Sequence, residues 1–325
     1  MQATRFSVGI DVSKSKLDLA LLHQGKIKNK VFANSQAGFK ALLEWLEEHV
    51  PGGVSSVHVC MEATGSYHEA LALFLCDQSV LVSVVNPFVI KRYTESKLQR
   101  NKMDRADVRV IAQYCEQERP AAFVPPSQSV RSLQALVLRL QTLEVMANAE
   151  RNRLDVAHTV VKPSVQTVLD GLVTAIADVR RQISDTIDND PDLKNRSDLL
   201  ETIPGLGERT IPQLLACIGA PERFESGKAL AAYAGLCPAI KESGSSLRRR
   251  GGTTTFGNRF LKRCLYFPAM VAGRYNPAIR PFWQRLMAQG KPGKVIIVAC
   301  MHKLLCLVYA VLKSGRPFDP ALSEA

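Results

Sequence analysis

The sequence has no closely spaced cysteine pair of the CxxC type, although it contains eight cysteines in 325 residues. Without such a pair, neither a zinc site nor disulfides are indicated. Most of the cysteines lie in apolar runs such as VHVCMEA and LLACIGA, which indicates buried, reduced thiols in a reducing compartment. His302 and Cys306 are four residues apart on one predicted helix, but two candidate ligands without a second pair indicate core packing.

The sequence also has no recognisable targeting segment and no unbroken membrane span. The first residues, MQATRFSVGIDVS, do not combine a cationic start with an apolar core. The longest apolar stretch, residues 295–312, is interrupted by His302 and Lys303 and therefore predicts a buried helix. We expect a cytoplasmic protein of bacterial type, associated with the nucleoid when it acts, and no membrane partner.

Acidic residues are scarce relative to basic ones. The chain has 30 Asp and Glu against 42 Lys and Arg, a formal net charge of +12. Such an excess attracts polyanions, of which nucleic acid is the commonest, although a basic protein without such a partner has the same composition. The length allows two domains and a connector.

The first part of the chain alternates short strands with helices. Three strands, RFSVGIDVS, KLDLALLH and KIKNKVFAN, precede an amphipathic helix with a serine cap, SQAGFKALLEWLEEHV. A strand (VSSVHVCMEA), a helix (SYHEALALFLCDQ), a strand (VLVSVVNP) and a helix (DRADVRVIAQYCEQERP) follow. This order predicts a ribonuclease H-like domain, a mixed sheet with helices on its faces. The proline-rich residues 120–129 mark its end, and we assign the domain to residues 1–125.

Two long helical stretches with apolar residues at spacings of three and four come next. These residues are Leu133, Leu136, Leu140 and Leu143, then Val165, Leu169, Leu172, Ile176, Val179 and Ile183. The heptad spacing predicts a narrow seam, either in a helical hairpin within one domain or in a coiled coil between subunits. We assign residues 126–191 to a coiled-coil connector, with a break at Lys162 and Pro163.

Residues 192–325 have the pattern of a mostly helical domain, so the fold class is α/β followed by all-α. The stretch LLETIPGLGERTIPQLLACIG combines a helix, a tight turn and a second helix, which predicts a helix-hairpin-helix. The amides of Gly205 and Gly207 in such a turn can hold a DNA phosphate without reading sequence. Ordinary helix packing produces the same pattern.

Four acidic residues indicate a metal site. Asp11 and Glu62 each end an apolar strand, where a charge pointing into a core is costly. Asp104 and Asp107 are three residues apart and share one face of a helix. If these elements converge, the carboxylates repel one another unless cations neutralise them, which predicts one or two Mg²⁺ ions, with Mn²⁺ as a substitute. Taken singly, each acid is also explained as a turn residue, a cap or a solvated first turn.

The stretch KESGSSLRRRGG, residues 241–252, places three serines ahead of three arginines. The serines are Ser243, Ser245 and Ser246, and the basic residues of the region are Lys241, Arg248, Arg249, Arg250, Arg259, Lys262 and Arg263. This local excess of positive charge suits a surface that grips a nucleic-acid backbone. The local sequence is compatible with a solvated loop or with a hydroxyl nucleophile beside phosphate-binding cations.

Six stretches, in order along the chain, resemble one known family, and the match runs from about residue 6 to residue 316. They are GIDVSK, CMEATGSY, NKMDRADV, IPGLGERT, AAYAGLCP and KESGSS. Together they resemble the DEDD transposases of insertion-sequence family 110, the bridge-RNA-guided recombinases. The resemblance implies a RuvC-like domain of ribonuclease H fold, a coiled-coil connector and a transposase domain at residues 192–325.

The resemblance also implies roles for particular residues. The metal-binding acids of the family fall on Asp11, Glu62, Asp104 and Asp107, and its catalytic serine falls on Ser243. In such proteins this serine forms a phosphoserine link with DNA before the strands are exchanged and rejoined. A structured non-coding guide RNA, the bridge RNA, pairs with donor and target double-stranded DNA. The family assembles as a tetramer, a dimer of dimers, in which the acids of one subunit face the serine of another.

Two other functions fit the residues. In a metal-dependent DNA nuclease or Holliday-junction resolvase, the four acids activate water and the serine stretch only binds. Such an enzyme leaves free cleaved ends and no protein–DNA adduct. A non-catalytic nucleic-acid-binding protein uses the PGLG turn and the basic stretch, and its binding does not depend on metal.

Overall fold

In a computed structural model the chain divides into two compact units, Met1–Pro125 and Pro126–Ala325. Each unit contains its own hydrophobic core. The structure describes residues 6–63, 65, 67–97, 104–243, 247–253 and 257–320. For residues 104–107, 238–243 and 247–253 it describes the backbone but not the side chains.

The first unit is a five-stranded sheet with four helices. Its strands are β1 (Phe6–Val12), β2 (Lys16–His23), β3 (Lys26–Ala33), β4 (Val57–Glu62) and β5 (Leu81–Val85). Its helices are α1 (Gln36–His49), α2 (Glu69–Asp77), α3 (Pro87–Ser96) and α4 (Asp104–Glu118). The strand order is β3-β2-β1-β4-β5, in which β1, β2 and β3 pair antiparallel while β1, β4 and β5 pair parallel. The predicted mixed sheet with helices is confirmed.

The two faces of the sheet carry different kinds of residue. On one face, alternate residues of β1 such as Val8 and Ile10 are fully buried in a core that includes Phe39 and Leu42 of α1. On the other face, Gly9 lies directly under α4, because a Cβ built on Gly9 would come within 2.4 Å of the Ala112 amide nitrogen and the Val108 carbonyl oxygen. Only glycine permits so close an approach of helix to strand.

Side-chain caps begin two of these helices. The Ser35 hydroxyl accepts a hydrogen bond from the Gly38 amide at 3.3 Å, as the sequence predicts for α1. The Asn86 side chain accepts one from the Phe88 amide at 2.9 Å and starts α3. Helix α3 is not among the elements predicted above, because a proline after a strand also fits the end of that strand. Proline at the first helical position is equally a start signal.

The second unit is mostly helical, as predicted. Its helices are α5 (Gln128–Val156), α6 (Lys162–Asp188), α7 (Pro191–Glu201), α8 (Ile211–Ile218), α9 (Gly227–Tyr233), α10 (Arg259–Cys264), α11 (Tyr266–Tyr275), α12 (Arg280–Ala288) and α13 (Gly293–Ser314). Two strands, β6 (Pro238–Ser243) and β7 (Leu247–Thr253), interrupt the helical order.

Helices α5 and α6 pack against each other along the predicted apolar seam. Leu133 and Leu143 of α5 and Ile176 and Ile183 of α6 are buried in one core. Residues 157–161 join the helices, and an ion pair of 2.8 Å links Arg180 to Glu144 beside the seam. The pair therefore forms a helical hairpin within the chain, while a coiled coil between subunits stays a prediction.

Helix α13 is the buried helix predicted for residues 295–312. Its mean hydropathy reaches 2.4, so by length and composition alone it could cross a membrane, but half of that apolar window is buried inside the protein. Ile296, Cys300, Leu304 and Val308 form one fully or almost fully buried stripe along it. That spacing is typical of the core helix of a globular unit.

Candidate functional site

Asp11 and Glu62 end two adjacent parallel strands at the same level of the sheet. Ile10 of β1 is opposite Met61 of β4, so the next residue of each strand is an acid. Neighbouring strands lie about 4.8 Å apart, which makes these two acids neighbours. Both side chains are partly buried. By alternation along the strands, Asp11 shares a face with Gly9, the face that α4 covers.

Helix α4 runs antiparallel to β1 and β4. Near its carboxyl end, Cys115 Sγ donates a hydrogen bond to the His58 carbonyl oxygen at 3.3 Å, close to the start of β4. One turn earlier, Ala112 lies over Gly9 in the middle of β1. The first turn of α4, which begins at Asp104, therefore extends toward the sheet end that carries Asp11 and Glu62.

The four-acid cluster stays a prediction. The side chains of Asp104 and Asp107 lie outside the described residues, although their backbone forms the first turn of α4. Among the side chains that are described, no three His, Cys, Asp or Glu come close enough to hold a metal ion. Asp18, opposite Asp11 on β2, forms an ion pair of 2.9 Å with Lys16.

A buried polar network, which the sequence analysis did not identify, lies between α4 and the sheet. The Ser83 hydroxyl is 2.9 Å from the Pro120 carbonyl oxygen and 2.8 Å from that of Ala121, and both can only accept. Its oxygen can therefore accept from His58 Nε2 at 2.8 Å. This network holds Pro120 and Ala121, which follow α4, against β5. Polar residues within apolar strands were its signal in the sequence.

Two cysteines extend this polar layer. Cys60 of β4 and Cys115 of α4 are fully or almost fully buried and hydrogen-bonded to each other. That bond, together with burial, raises the pKa of the Cys60 thiol above its usual range. The Cys60–Cys115 contact joins the strand that carries Glu62 to the helix that carries Asp104 and Asp107, so it contributes to the position of α4.

Ser243 is the last residue of β6, in a two-stranded antiparallel ribbon that the sequence analysis did not predict. In the register of the ribbon Ser243 is opposite Leu247 and Glu242 is opposite Arg248. The sequence of this region does not indicate a ribbon, because charged and glycine-rich strands lack apolar alternation. Ser245 and Ser246 lie outside the described residues, and the side chains of Ser243 and of Arg248, Arg249 and Arg250 are not described.

The remaining predicted basic contacts lie on α10. Arg259 and Arg263 are exposed. Lys262 is partly buried, and its ammonium group donates a hydrogen bond to the Gly235 carbonyl oxygen at 3.1 Å, just beyond the end of α9. Burial lowers the pKa of Lys262. Lys262 therefore stabilises the end of α9, and its contact with a phosphate stays a prediction.

The two glycines of the PGLG turn have different surroundings. Gly205 has a positive φ of 108°, and a Cβ at this position would lie 2.9 Å from the Ala272 amide nitrogen. The buried Asn276 side chain also donates to the Pro204 carbonyl oxygen at 3.0 Å, so the turn packs closely against the end of α11. Gly207 is exposed with open space around its Cα. Phosphate binding by either glycine stays a prediction.

Comparison with known proteins gives two family matches. Residues 8–162 match a family model described as a transposase of the DEDD type of IS110, and residues 197–284 match one described as "Transposase IS116/IS110/IS902 family". In the solved structures, T. thermophilus RuvC in complex with a Holliday junction substrate is 14% identical and matches 35% of this chain and 95% of its own. Its TM-score of 0.27 is too low to support a conclusion about the fold.

Two curated relatives cover nearly the whole chain. The pilin gene-inverting protein of Moraxella bovis is 35% identical over 319 residues, 98% of each chain, and that of Moraxella lacunata has the same identity and coverage. An uncharacterized 43.6 kDa protein of insertion element IS110 from Streptomyces coelicolor is 31% identical over 50% of this chain and 41% of its own. The resemblance noted in the sequence is confirmed: the chain belongs to the IS116/IS110/IS902 family of transposases.

Proposed function

We propose that this transposase breaks and rejoins DNA by a metal-assisted serine mechanism, with Ser243 as nucleophile. The observation that carries the proposal is the placement of Asp11 and Glu62 on neighbouring strand ends, on the face covered by α4. Asp104 and Asp107 begin that helix, whose first turn extends toward the same end of the sheet. All four acids would then serve one site.

The donor set fits Mg²⁺. The site consists of carboxylate oxygens, the ligands that hard divalent cations prefer, and Mn²⁺ accepts the same ligands. Two carboxylates on adjacent strand ends repel each other, and a cation between them removes that repulsion. When bound, Mg²⁺ would polarise a phosphodiester and neutralise charge that develops on its oxygens.

A covalent phosphoserine at Ser243 would conserve the energy of the phosphodiester bond. Ser243 Oγ forms a bond to phosphorus, the bond from phosphorus to one deoxyribose oxygen breaks, and the leaving oxygen takes up a proton while Oγ loses one. A hydroxyl of the exchanged strand later attacks the phosphoserine, and Oγ regains its proton. Arg248, Arg249 and Arg250 follow on the strand paired with β6, and are our candidates for neutralising phosphoryl charge.

The finer architecture is part of the same proposal. The strand order β3-β2-β1-β4-β5 supports a RuvC-like domain of ribonuclease H fold at residues 1–125. The α5–α6 hairpin supports a separate connector at residues 126–191, through which subunits would form a tetramer. The PGLG turn supports a helix-hairpin-helix in the domain at residues 192–325. Guidance by a structured RNA that pairs with donor and target DNA rests on the family resemblance.

Metal binding by the acids can be measured without DNA. Calorimetric titration with Mn²⁺ should show binding by the wild-type protein and its loss or strong weakening in Asp11→Asn and Glu62→Gln. Asp18→Asn is the matched control, because Asp18 is opposite Asp11 in the sheet but is paired with Lys16. Equal Mn²⁺ affinity in the wild type and Asp11→Asn would contradict the proposed site.

A further inference from the structure

The outer face of α11 carries large apolar side chains, whereas its inner face carries small ones. Phe267 is 72% exposed and Tyr275 71% exposed, while Ala269 and Ala272 are fully buried. Gly273 is also buried, and a Cβ there would lie 2.3 Å from the Trp283 ring. This is the reverse of ordinary amphipathic packing, in which the large apolar residues face the core.

The exposed face carries both basic and apolar residues. At 100° per residue, Arg263, Val271 and Arg274 all lie within about 40° of Phe267 around the nearly continuous helical stretch α10–α11. All three are exposed, and Tyr275 lies beside Val271 on the same side. We call the set of Arg263, Phe267, Val271, Arg274 and Tyr275 the α11 surface. Along the helix axis, Phe267 and Val271 lie between the two arginines, and Tyr275 directly follows Arg274.

The α11 surface lies in the part of the chain that contains all of the excess positive charge. Residues 243–318 include fourteen Lys and Arg and no Asp or Glu. The rest of the chain holds the other 28 of the 42 basic residues and all 30 acidic residues, and it is therefore close to neutral. A contiguous exposed apolar patch is typical of a binding site, and here the charge of its surroundings favours a polyanion as the partner.

We propose that the α11 surface binds unpaired bases of a DNA strand. Phe267 and Tyr275 stack against the bases, and Arg263 and Arg274 contact the neighbouring phosphates. Aromatic rings stack on the faces of single-stranded bases of any sequence, whereas in a duplex those faces are already stacked. DNA is the polymer on which transposases act, and strand exchange separates its base pairs. The proposal concerns binding only and needs neither Ser243 nor the metal site.

The test is an equilibrium titration of full-length protein in EDTA. The probes are a fluorescein-labelled DNA strand of about twelve nucleotides, its duplex, and the RNA strand of the same sequence, all followed by anisotropy. Phe267→Ala and Tyr275→Ala should each weaken binding of the DNA strand by roughly tenfold and binding of the duplex by much less. Phe267→Tyr and Tyr275→Phe keep the rings and should keep the affinity.

Three further variants complete the design. Arg263→Gln and Arg274→Gln should each lower the salt dependence of single-strand binding by about 0.7 in the log–log slope, as expected for one lost phosphate contact. Leu138→Ala is the matched control, because Leu138 is an exposed apolar residue of α5, 57% exposed, in the same unit. It should change none of the affinities.

Three results would overturn the proposal. The alanine variants could bind the DNA strand as the wild type does. They could lose affinity for the RNA strand alone, which would assign the α11 surface to RNA. They could change the sedimentation of the free protein and leave DNA binding intact, which would make the surface a contact between copies of the chain. Since EDTA is present throughout, failure of the metal site leaves the outcome unchanged.

Discussion

Replacing Gly9 with alanine should push α4 away from the sheet. The new Cβ would lie 2.4 Å from two backbone atoms, the Ala112 nitrogen and the Val108 oxygen. Ordinary contact begins at 3.4 Å, so the helix has to move by about 1 Å. No side-chain rotation relieves a clash with backbone, and overpacking of this kind costs about 1–3 kcal/mol of stability.

The displaced helix also carries two of the proposed metal ligands. A shift of about 1 Å at a reacting centre can reduce the rate by about 100-fold. We therefore expect Gly9→Ala to reduce both strand transfer and Mn²⁺ affinity. These losses should be larger than the lower melting temperature alone explains. Melting followed by calorimetry, with Mn²⁺ titration at a temperature where the variant is folded, separates the two effects.

The same substitution elsewhere provides the control. Gly171, within α6, has open space around its Cα, so Gly171→Ala should stabilise the protein by up to about 1 kcal/mol and leave activity unchanged. If Gly9→Ala melted at the wild-type temperature and bound Mn²⁺ normally, the close packing of α4 on β1 would be refuted.

Two further substitutions and one labelling experiment test other parts of the structure. Ser83→Ala should lower the melting temperature by an amount equivalent to about 1–3 kcal/mol, because it removes the hydroxyl that contacts Nε2 of the buried His58 ring. Asp190→Ala should cost about 0.5–2 kcal/mol by removing the cap of α7. The Ser129 hydrogen bond lowers the pKa of Asp190 below its usual 3.8, so its stabilisation should be complete above pH 3.8 and decline as the pH falls further. Burial raises the pKa of Cys217 and of Cys264 to about 12, so a thiol reagent at neutral pH should label them about 1,000-fold more slowly than in the unfolded chain.

Regular elements could be predicted where local chemistry determines them. Strands β1, β2, β4 and β5 follow apolar runs, and α1 begins at a serine cap. Helix α3 was missed because Pro87 fits both a strand end and a helix start. The β6–β7 ribbon was missed because its residues do not alternate between apolar and polar, so its pairing depends on contact between two strands rather than on local periodicity.

Only part of the candidate site could be predicted from the sequence. Asp11 and Glu62 could be selected because an acid at the end of an apolar strand is unusual. Their adjacency depends on the register of β1 with β4, which the sequence does not specify. The fit of α4 over Gly9 and the buried Cys60–Cys115 contact are tertiary facts without a local pattern.

The most direct test of the account is a search for a covalent link between Ser243 and DNA. Wild-type protein with Mg²⁺, the proposed guide RNA and labelled donor and target DNA should give a protein–DNA adduct or joined strands on a denaturing gel. Both should disappear in Ser243→Ala and in Asp11→Asn and persist in the neighbouring-serine control Ser245→Ala. Cleavage that survives in Ser243→Ala but not in Asp11→Asn would identify a hydrolytic nuclease and contradict the serine mechanism.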